Sequence, residues 1–331
     1  MTQQIVLKSR PMGFPTLDNF ETRNTQIPPL NSGMVRLKPH IFSVDPYMRG
    51  RMSDAKSYVA AFTVGEPFSG GGVSQIVESQ ADGFKKGDYV LGMIPWQEDI
   101  VITAGGLQVV DAQIAPLSYY LGILGMPGLT AYFGLLEIGK PKKGETVVVS
   151  GAAGAVGIVV GQIAKIQGCR VVGIAGDQSK IDYLIGELGF DAAINYKTET
   201  KMTEAIASAC PDGVDVYFDN VGGEISDAVL TQINKYARII ICGQISLYNM
   251  ATQPIGPRPG LTLVKRSALM QGFTVSNYAG RFPEGFKALN DWVKSGELKY
   301  RVTTYHGFEK LPVALMALFE GKNLGKLIVE V

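Results

Sequence analysis

Apolar positions along the chain fall into two textures. Up to about residue 120 they come in short strand-like runs, Met34–Lys38, Val73–Glu78, Tyr89–Met93 and Leu107–Val110. Glycines at 33, 65, 70–72, 83 and 87 punctuate them, and Asp82–Asp88 (D-G-F-K-K-G-D) reads as a turn between two strands. From residue 121 the period changes. The stretch Gly128–Ile138 is apolar at helical spacing, with Gly139 as the expected C-terminal cap and Pro141 as a stop. Strands and helices then alternate. Strands are predicted at Val147–Ser150, Arg170–Ala175, Ala192–Asn195, Val214–Phe218 and Ala237–Ile241. Helices are predicted at Val156–Gln167, Lys180–Leu188, Met202–Ala209 and Ile225–Gln232. The strand segments V-V-V-S, V-V-G-I-A and R-I-I-I-C are nearly continuous apolar runs, as buried parallel strands are. Such alternation predicts a doubly wound parallel sheet.

A broken segment with three prolines, Ser246–Pro259, is expected to form a loop over the ligand face. A strand at Met270–Val275 and a helix at Phe286–Ser295 follow. The tail reads as strand Leu298–Thr303, helix Leu311–Phe319 and strand Lys326–Val331. A tail of this texture would complete the N-terminal β domain and make the parallel-sheet domain an insertion. The expected boundaries are 1–120, 121–298 and 299–331.

The densest signal is Thr146–Gly157, T-V-V-V-S-G-A-A-G-A-V-G. A buried strand turns tightly through small residues into a helix, whose N-terminus offers unbonded N–H groups and a positive dipole end. A pyrophosphate fits there, which points to a dinucleotide. Glycines 151, 154 and 157 are spaced G-x-x-G-x-x-G. In the plain structural alternative they only shape the turn. The next strand ends in Gly176-Asp177-Gln178-Ser179-Lys180. Lys180 suits a 2′-phosphate, whereas Asp177 suits a free ribose hydroxyl or simply caps a helix. The pattern leaves NAD and NADP open. Asn220, in D-N-V-G-G after the strand Val214–Phe218, reads equally as a ribose contact or as a turn-forming residue. The same holds for Cys242-Gly243-Gln244.

Composition narrows the chemistry. The 331 residues carry 31 basic and 30 acidic side chains, a formal net charge of +1. That balance gives no reason to expect nucleic acid or an anionic membrane as partner. No apolar run is long enough for a membrane span. The N-terminus lacks the apolar core of a signal peptide. The cysteines, Cys169, Cys210 and Cys242, are scattered and odd in number, as expected of reduced thiols in the cytoplasm. With two histidines, His40 and His306, and no C-x-x-C pair, neither a metal site nor a Ser-His-Asp triad is expected.

Several longer motifs then share one resemblance. They are S-V-D-P-Y-M-R-G-R-M (43–52), L-G-M-P-G-L-T-A-Y (124–132), G-A-A-G-A-V-G (151–157) and G-C-R-V-V-G-I-A-G (168–176). F-D-N-V-G-G-E (218–224), I-C-G-Q-I-S-L-Y-N (241–249), Q-G-F-T-V (271–275) and G-K-N-L-G-K (321–326) complete the set. In these the chain resembles the zinc-independent medium-chain dehydrogenase/reductases, in the alkenal/one oxidoreductase and prostaglandin reductase group, which includes bacterial curcumin reductase-like enzymes. The resemblance covers nearly the whole chain. It implies an α/β fold in which a Rossmann domain is inserted in a GroES-like β domain. It also implies NADPH-dependent reduction of the carbon–carbon double bond of α,β-unsaturated ketones and aldehydes, and a homodimer. By the same resemblance Gly154, Ala155, Val156 and Gly157 cradle the pyrophosphate and Lys180 meets the 2′-phosphate. Tyr196, Asn220, Cys242, Gly243, Gln244, Ile245, Ser246, Leu247, Tyr248, Phe273, Thr274, Val275 and Asn323 line the cofactor site. Asp177 stands where relatives often carry a small residue.

Hydride addition to the β-carbon of an enone builds charge on the carbonyl oxygen, and a donor aimed there lowers the barrier. Tyr248, in the polar loop after the sheet, is the expected donor or acid, and Tyr47 of D-P-Y-M-R is expected to wall the substrate. Both rings also suit plain packing. Arg49 and Arg51 suit either an anion or a structural carboxylate. Tyr58, Met126 and the 246–259 loop are expected to shape the pocket. Two further readings stand beside this one: a quinone oxidoreductase of the same fold, and a non-catalytic NADPH-binding sensor.

Overall fold

The computed structural model describes residues 1–252 and 254–331. Gln253, inside the expected 246–259 loop, lies outside the described residues. The N-terminal segment forms β1 (Thr2–Leu7), β2 (Phe20–Thr25), β3 (Met34–Ser43), the short helix α1 (Tyr47–Arg51), β4 (Ser69–Ser79), β5 (Tyr89–Pro95), β6 (Ile100–Thr103) and β7 (Gln108–Val110). Next come α2 (Met126–Phe133), β8 (Thr146–Ser150), α3 (Gly157–Ile166), β9 (Arg170–Ala175), α4 (Gln178–Gly186), β10 (Ala192–Asn195) and α5 (Met202–Ala209). These are followed by β11 (Val214–Asp219), α6 (Gly223–Leu230), β12 (Ile233–Ile241), α7 (Gly260–Arg266), β13 (Leu269–Gly272) and α8 (Phe282–Ser295). The tail forms β14 (Val302–His306), α9 (Leu311–Phe319) and β15 (Lys326–Glu330).

The chain divides into two compact units. One holds Met1–Leu121, Val302–Asn323 and Leu327–Val331; the other holds Gly122–Arg301 and Leu324–Lys326. The sequence of the second is thus inserted in that of the first, as the resemblance implies.

In the first unit the main sheet runs β14-β15-β3-β4-β5-β7, with β6 also on β3. The tail strand β15 pairs antiparallel with β3, Ile328 opposite Ser43, so the C-terminal residues complete this β domain. Its core is aromatic: Phe68 stacks on Trp96 with centroids 4.7 Å apart and on Phe20 at 5.1 Å. Gly70–Gly72 correct the sequence reading, which took them as punctuation. They lie inside β4. A Cβ on Gly70 would come within 2.3 Å of Met48 Cε, and one on Gly72 within 2.3 Å of Ile94 Cδ1. Gly70 and Gly72 serve close packing within a strand, not a turn.

The second unit carries a six-stranded sheet in the order β10-β9-β8-β11-β12-β13. All of its pairings are parallel. The order reverses between β8 and β11, and an open α/β sheet binds its ligand in the crevice at that point. The central strands are wholly apolar and buried at Val147, Val148 and Val149 and at Val171 and Val172.

Two segments differ from the sequence reading. The helix that starts at Met126 widens into a π-turn over Gly134–Gly139, closed by Lys140 N–H on the Leu135 carbonyl at 2.8 Å. The left-handed residue that ends it is Lys140, at φ 43°, not Gly139. Gly139 is small for another reason: a Cβ would sit 3.0 Å from Ile240 Cδ1 and 3.2 Å from Val216 Cγ1, so the turn lies flat on the sheet. The strand expected at Leu298–Thr303 starts only at Val302. Its first residues turn aside because Gln162, on α3, grips the backbone of Lys299 through both amide atoms at 2.8 Å.

Candidate functional site

Every residue expected at the cofactor, Asn323 excepted, lies in the parallel-sheet unit. After β8 the chain turns through Gly151, at φ +58°. The turn closes by Gly154 N–H on the Gly151 carbonyl at 3.0 Å, so Gly154 serves by close approach and not as a donor. Gly157 is sterically obligatory, since a Cβ would lie 2.3 Å from Gly151 O and 2.7 Å from Ala152 Cα. Among the described residues, the N–H groups of Ala155, Val156 and Gly157 donate to no backbone carbonyl. Three amides at the start of a buried helix, with no side chain in the way, make a cradle for an anion. The tail reaches this turn: Gly325 N–H donates to Ala153 O at 2.8 Å, and Gly325 bridges Gly154. Asn323, buried, stands two residues before Gly325.

At the ends of β9 and β10, Tyr196 lies across Gly176, whose Cβ would meet the ring at 2.7 Å. Asp177 caps α4, accepting from Ser179 N–H at 2.9 Å. Its two bonds from Ser179 hold its carboxyl below the usual range. Lys180 is half-buried. Burial lowers its ammonium pKa, and the neighbouring Lys197 lowers it further. Sequence reasoning missed Lys197, which directly follows Tyr196. Two ammonium groups close enough to repel, beside an aromatic ring, suit a dianion.

The switch point is built around Asp219, fully buried at the end of β11. Its Oδ1 accepts from Ser150 Oγ at 2.8 Å, Tyr217 Oη at 2.8 Å, Val221 N–H at 3.0 Å and Gly222 N–H at 2.9 Å. Its Oδ2 accepts from Gln244 Nε2 at 2.9 Å. Asn220 donates through Nδ2 to Ser150 O at 2.8 Å, so its side chain ties β11 to β8 across the crevice. The segment 242–248 is stitched to the same strand end. Cys242 and Gly243 donate N–H to Asp219 O, Ile245 to Asn220 O and Ser246 to Val221 O. Burial, then the charge of Asp219, pushes the Cys242 thiol up to about 12. Ile245–Leu247 form one 3-10 turn, which returns Tyr248 Oη to 3.3 Å from Gln244 N–H.

Phe273 packs its ring edge-on to Phe218, centroids 6.5 Å apart, over Gly134. That ring is half-buried, and Thr274 and Val275 start a 3-10 turn in which Thr274 O accepts from Asn277 N–H at 3.0 Å.

In the other unit, Tyr47 opens α1. Burial, with the charge of Asp45, raises its phenol pKa, so it stays protonated. Arg49 and Arg51 both donate to backbone carbonyls. Arg49 Nη2 donates to Gly13 O at 2.8 Å, and Arg51 Nε to Ala60 O at 2.9 Å. Arg51 also lies 4.0 Å over the Phe62 ring. Tyr58 is exposed on the loop after α1. Among the described residues no three His, Cys, Asp or Glu side chains are grouped to hold a metal, and no helix is long and apolar enough to cross a membrane.

Comparisons with known proteins fit this architecture. The model described as the N-terminal domain of oxidoreductase matches residues 3–110, and that described as zinc-binding dehydrogenase matches residues 155–295. YfmJ of Bacillus subtilis (strain 168) is 54% identical, with 99% of this chain and 97% of the relative covered. Prostaglandin reductase 1 of Rattus norvegicus is 46% identical, over 98% and 97%. The crystal structure of CurA in complex with NADPH from Vibrio vulnificus superposes with a TM-score of 0.95 at 42% identity, over 99% of both chains. The chain is therefore an enzyme of the medium-chain dehydrogenase/reductase family, within the zinc-independent, NADP-dependent group of the prostaglandin, alkenal and curcumin reductases.

Proposed function

We propose that this enzyme uses NADPH to reduce the carbon–carbon double bond of α,β-unsaturated ketones and aldehydes. The observation that carries the reading is the hydroxyl of Tyr248, fixed beside Gln244 at the switch-point end of the sheet. The cofactor fits the residues present. The amides of Ala155–Gly157 offer three donors to an anion, the closed turn that presents them leaves no room for a Cβ on Gly157, and Lys180 with Lys197 balances a 2′-phosphate. Tyr196, Asn220, the segment Cys242–Tyr248, Phe273–Val275 and Asn323 are proposed to line the rest of it. Bound there, NADPH supplies a hydride to the β-carbon.

The protein's share is to hold the enone and manage its charge. As the β-carbon gains hydride, the carbonyl oxygen becomes an enolate oxygen. Tyr248 Oη accepts an N–H bond from Gln244, which polarises its own O–H as a donor. Aimed at the enolate oxygen, that donor lowers the barrier; tyrosine or water then supplies the proton. Conjugation shares the charge between the oxygen and the α-carbon, so a phenol suffices as partner. Tyr47, protonated and half-buried, is proposed as a second substrate contact.

Two copies are proposed to associate through the exposed edge strand β13, and the free thiols suit a reducing, cytoplasmic setting. The test is kcat/KM over a panel of enones, enals and quinones with NADPH and with NADH. Preference for enones or enals with NADPH supports the reading, and preference for quinones overturns it.

A further inference from the structure

Asp219 has no place in the chemistry above, yet it is the most heavily bonded side chain at the switch point. A carboxylate can only accept, so each oxygen selects donors. The two oxygens divide their work. Oδ1 gathers Ser150, Tyr217 and the amides of Val221 and Gly222, all of which shape the end of β11 itself. Oδ2 faces Gln244 Nε2. The same amide nitrogen also donates to Gly243 O at 3.1 Å. Gln244 is thus held with its nitrogen towards Asp219, because turning the amide over would set its oxygen against both acceptors. The backbone N–H of this residue is what meets Tyr248 Oη at 3.3 Å.

We propose that Asp219 is a positioning residue for enone reduction: through Gln244 it fixes where the Tyr248 hydroxyl stands. This rests on the proposed role of Tyr248. No contact of Asp219 with substrate or cofactor is required. Its bonds run from a fully buried strand end to the half-buried backbone that meets the tyrosine.

The donor pattern supplies the test. Asp219→Asn keeps an acceptor for the four Oδ1 donors but turns an NH2 group towards the NH2 of Gln244. Gln244→Glu sets two carboxylates together. The double variant restores one donor facing one acceptor. Enzyme with 13Cζ-labelled tyrosine reports the position of Tyr248 without turnover, its signal assigned by loss in Tyr248→Phe. Both single variants are expected to move that signal and to lower kcat about tenfold or more, the scale of one charge-assisted hydrogen bond. In Asp219→Asn, NADPH affinity by fluorescence is expected to stay within about threefold, and the double variant should return the tyrosine signal and kcat towards wild type. Gln244→Met, at a half-buried site, keeps the test alive should Asp219→Asn fail to fold; it should reproduce the shift and the loss.

An unmoved Tyr248 signal in Asp219→Asn or Gln244→Met overturns the proposal, as does a double variant no better than the singles. Loss of kcat matched by equal loss of NADPH affinity, with the signal unmoved, overturns it too and leaves Gln244 acting through the cofactor alone. Wild-type enzyme inactive on every enone and enal sinks the proposed function alone. The tyrosine signal still decides whether Asp219 holds Tyr248.

Discussion

The carboxylate of Asp177 accepts twice from Ser179, from its backbone N–H at 2.9 Å and its hydroxyl at 2.6 Å. It is the N-cap of α4, which answers the question that its sequence position raised. Both bonds land on Oδ1, so that oxygen serves the start of α4, the capping alternative that the sequence left open. Asp177→Ala is expected to lower the unfolding temperature slightly and to leave the ratio of NADPH to NADH efficiency nearly unchanged. Lys180→Ala is expected to raise KM for NADPH by tenfold or more, at roughly 1.4 kcal/mol per decade, while KM for NADH barely moves. Steady-state kinetics with both nucleotides checks each variant. Equal effects on the two would remove Lys180 from the 2′-phosphate.

The lowered pKa of Lys180 gives this preference a pH signature. Burial and Lys197 disfavour its charged form, so it loses its proton at lower pH than an ordinary lysine. KM for NADPH should therefore climb on the alkaline side before ordinary lysines titrate, while KM for NADH stays flat. Lys180→Arg, which keeps its charge, should flatten the NADPH profile. Protein stability moves the other way. The unfolded chain binds this proton more tightly than the folded one, so the contribution of Lys180 to stability improves as pH rises through the folded pKa. A flat NADPH profile in the wild type would refute the assignment.

The sheet was legible because its central strands are buried on both faces. Runs such as Val147–Val149 and Ile239–Ile240 need no alternation, and helices α3 to α6 each bury part of one side, whereas α7 buries no side chain and carries no such signal. What escaped was set by contacts distant in sequence. Gly70–Gly72 look like turn residues until Met48 and Ile94 are seen pressing on them. Strand β2, F-E-T-R-N-T, is polar because it faces outward along most of its length. Gly139 has the composition of a cap, yet the sheet beneath it demands its smallness. At the site, glycines and Lys180 announced themselves by spacing. Lys197 and Asp219 did not, since a lysine after a strand and an acid before Asn-Gly are ordinary turn chemistry. Their meaning comes from what β9, β10 and β12 bring alongside.

Two glycines in successive helices should respond oppositely to the same methyl group. Gly157→Ala places Cβ against the backbone of Gly151 and Ala152, which cannot yield without opening the turn. It should destabilise the protein by about 2 kcal/mol or more and weaken NADPH binding still further. Gly186, in α4, has nothing within 4 Å of its virtual Cβ. Gly186→Ala should stabilise by roughly 0.5–1 kcal/mol with unchanged kinetics. Thermal unfolding with and without NADPH measures both. An unharmed Gly157→Ala would mean that the turn is looser than its contacts say.

Removing one oxygen from Tyr248 isolates its chemical role. Tyr248→Phe keeps the ring and the 3-10 turn, and deletes only the group that meets Gln244 N–H. If that hydroxyl stabilises the enolate, kcat/KM for an enone falls by about a hundredfold, in the range of a lost oxyanion donor or general acid. NADPH affinity should hold within a few fold. Turnover within twofold of wild type would return Tyr248 to packing.

The last prediction concerns the edge of the sheet. Strand β13 pairs with β12 on one side, Met270 opposite Ile239, and ends the strand order on the other. Leu269 is 46% exposed, and on the preceding helix Leu261 and Val264 are 65% and 77% exposed. An edge strand that leaves its N–H and C=O groups unpaired beside apolar side chains invites a second strand, and the same strand of a second copy supplies one by two-fold symmetry. Wild type should run as a dimer in light scattering. Val264→Asp, which buries a charge in that contact, should shift it to monomer at low micromolar concentration, and its own fold should survive because the residue touches water in one subunit. Exchange of the β13 amides should be slow in the dimer and fast in the variant. A monomeric wild type, or a variant that stays dimeric, would move the contact elsewhere on the surface.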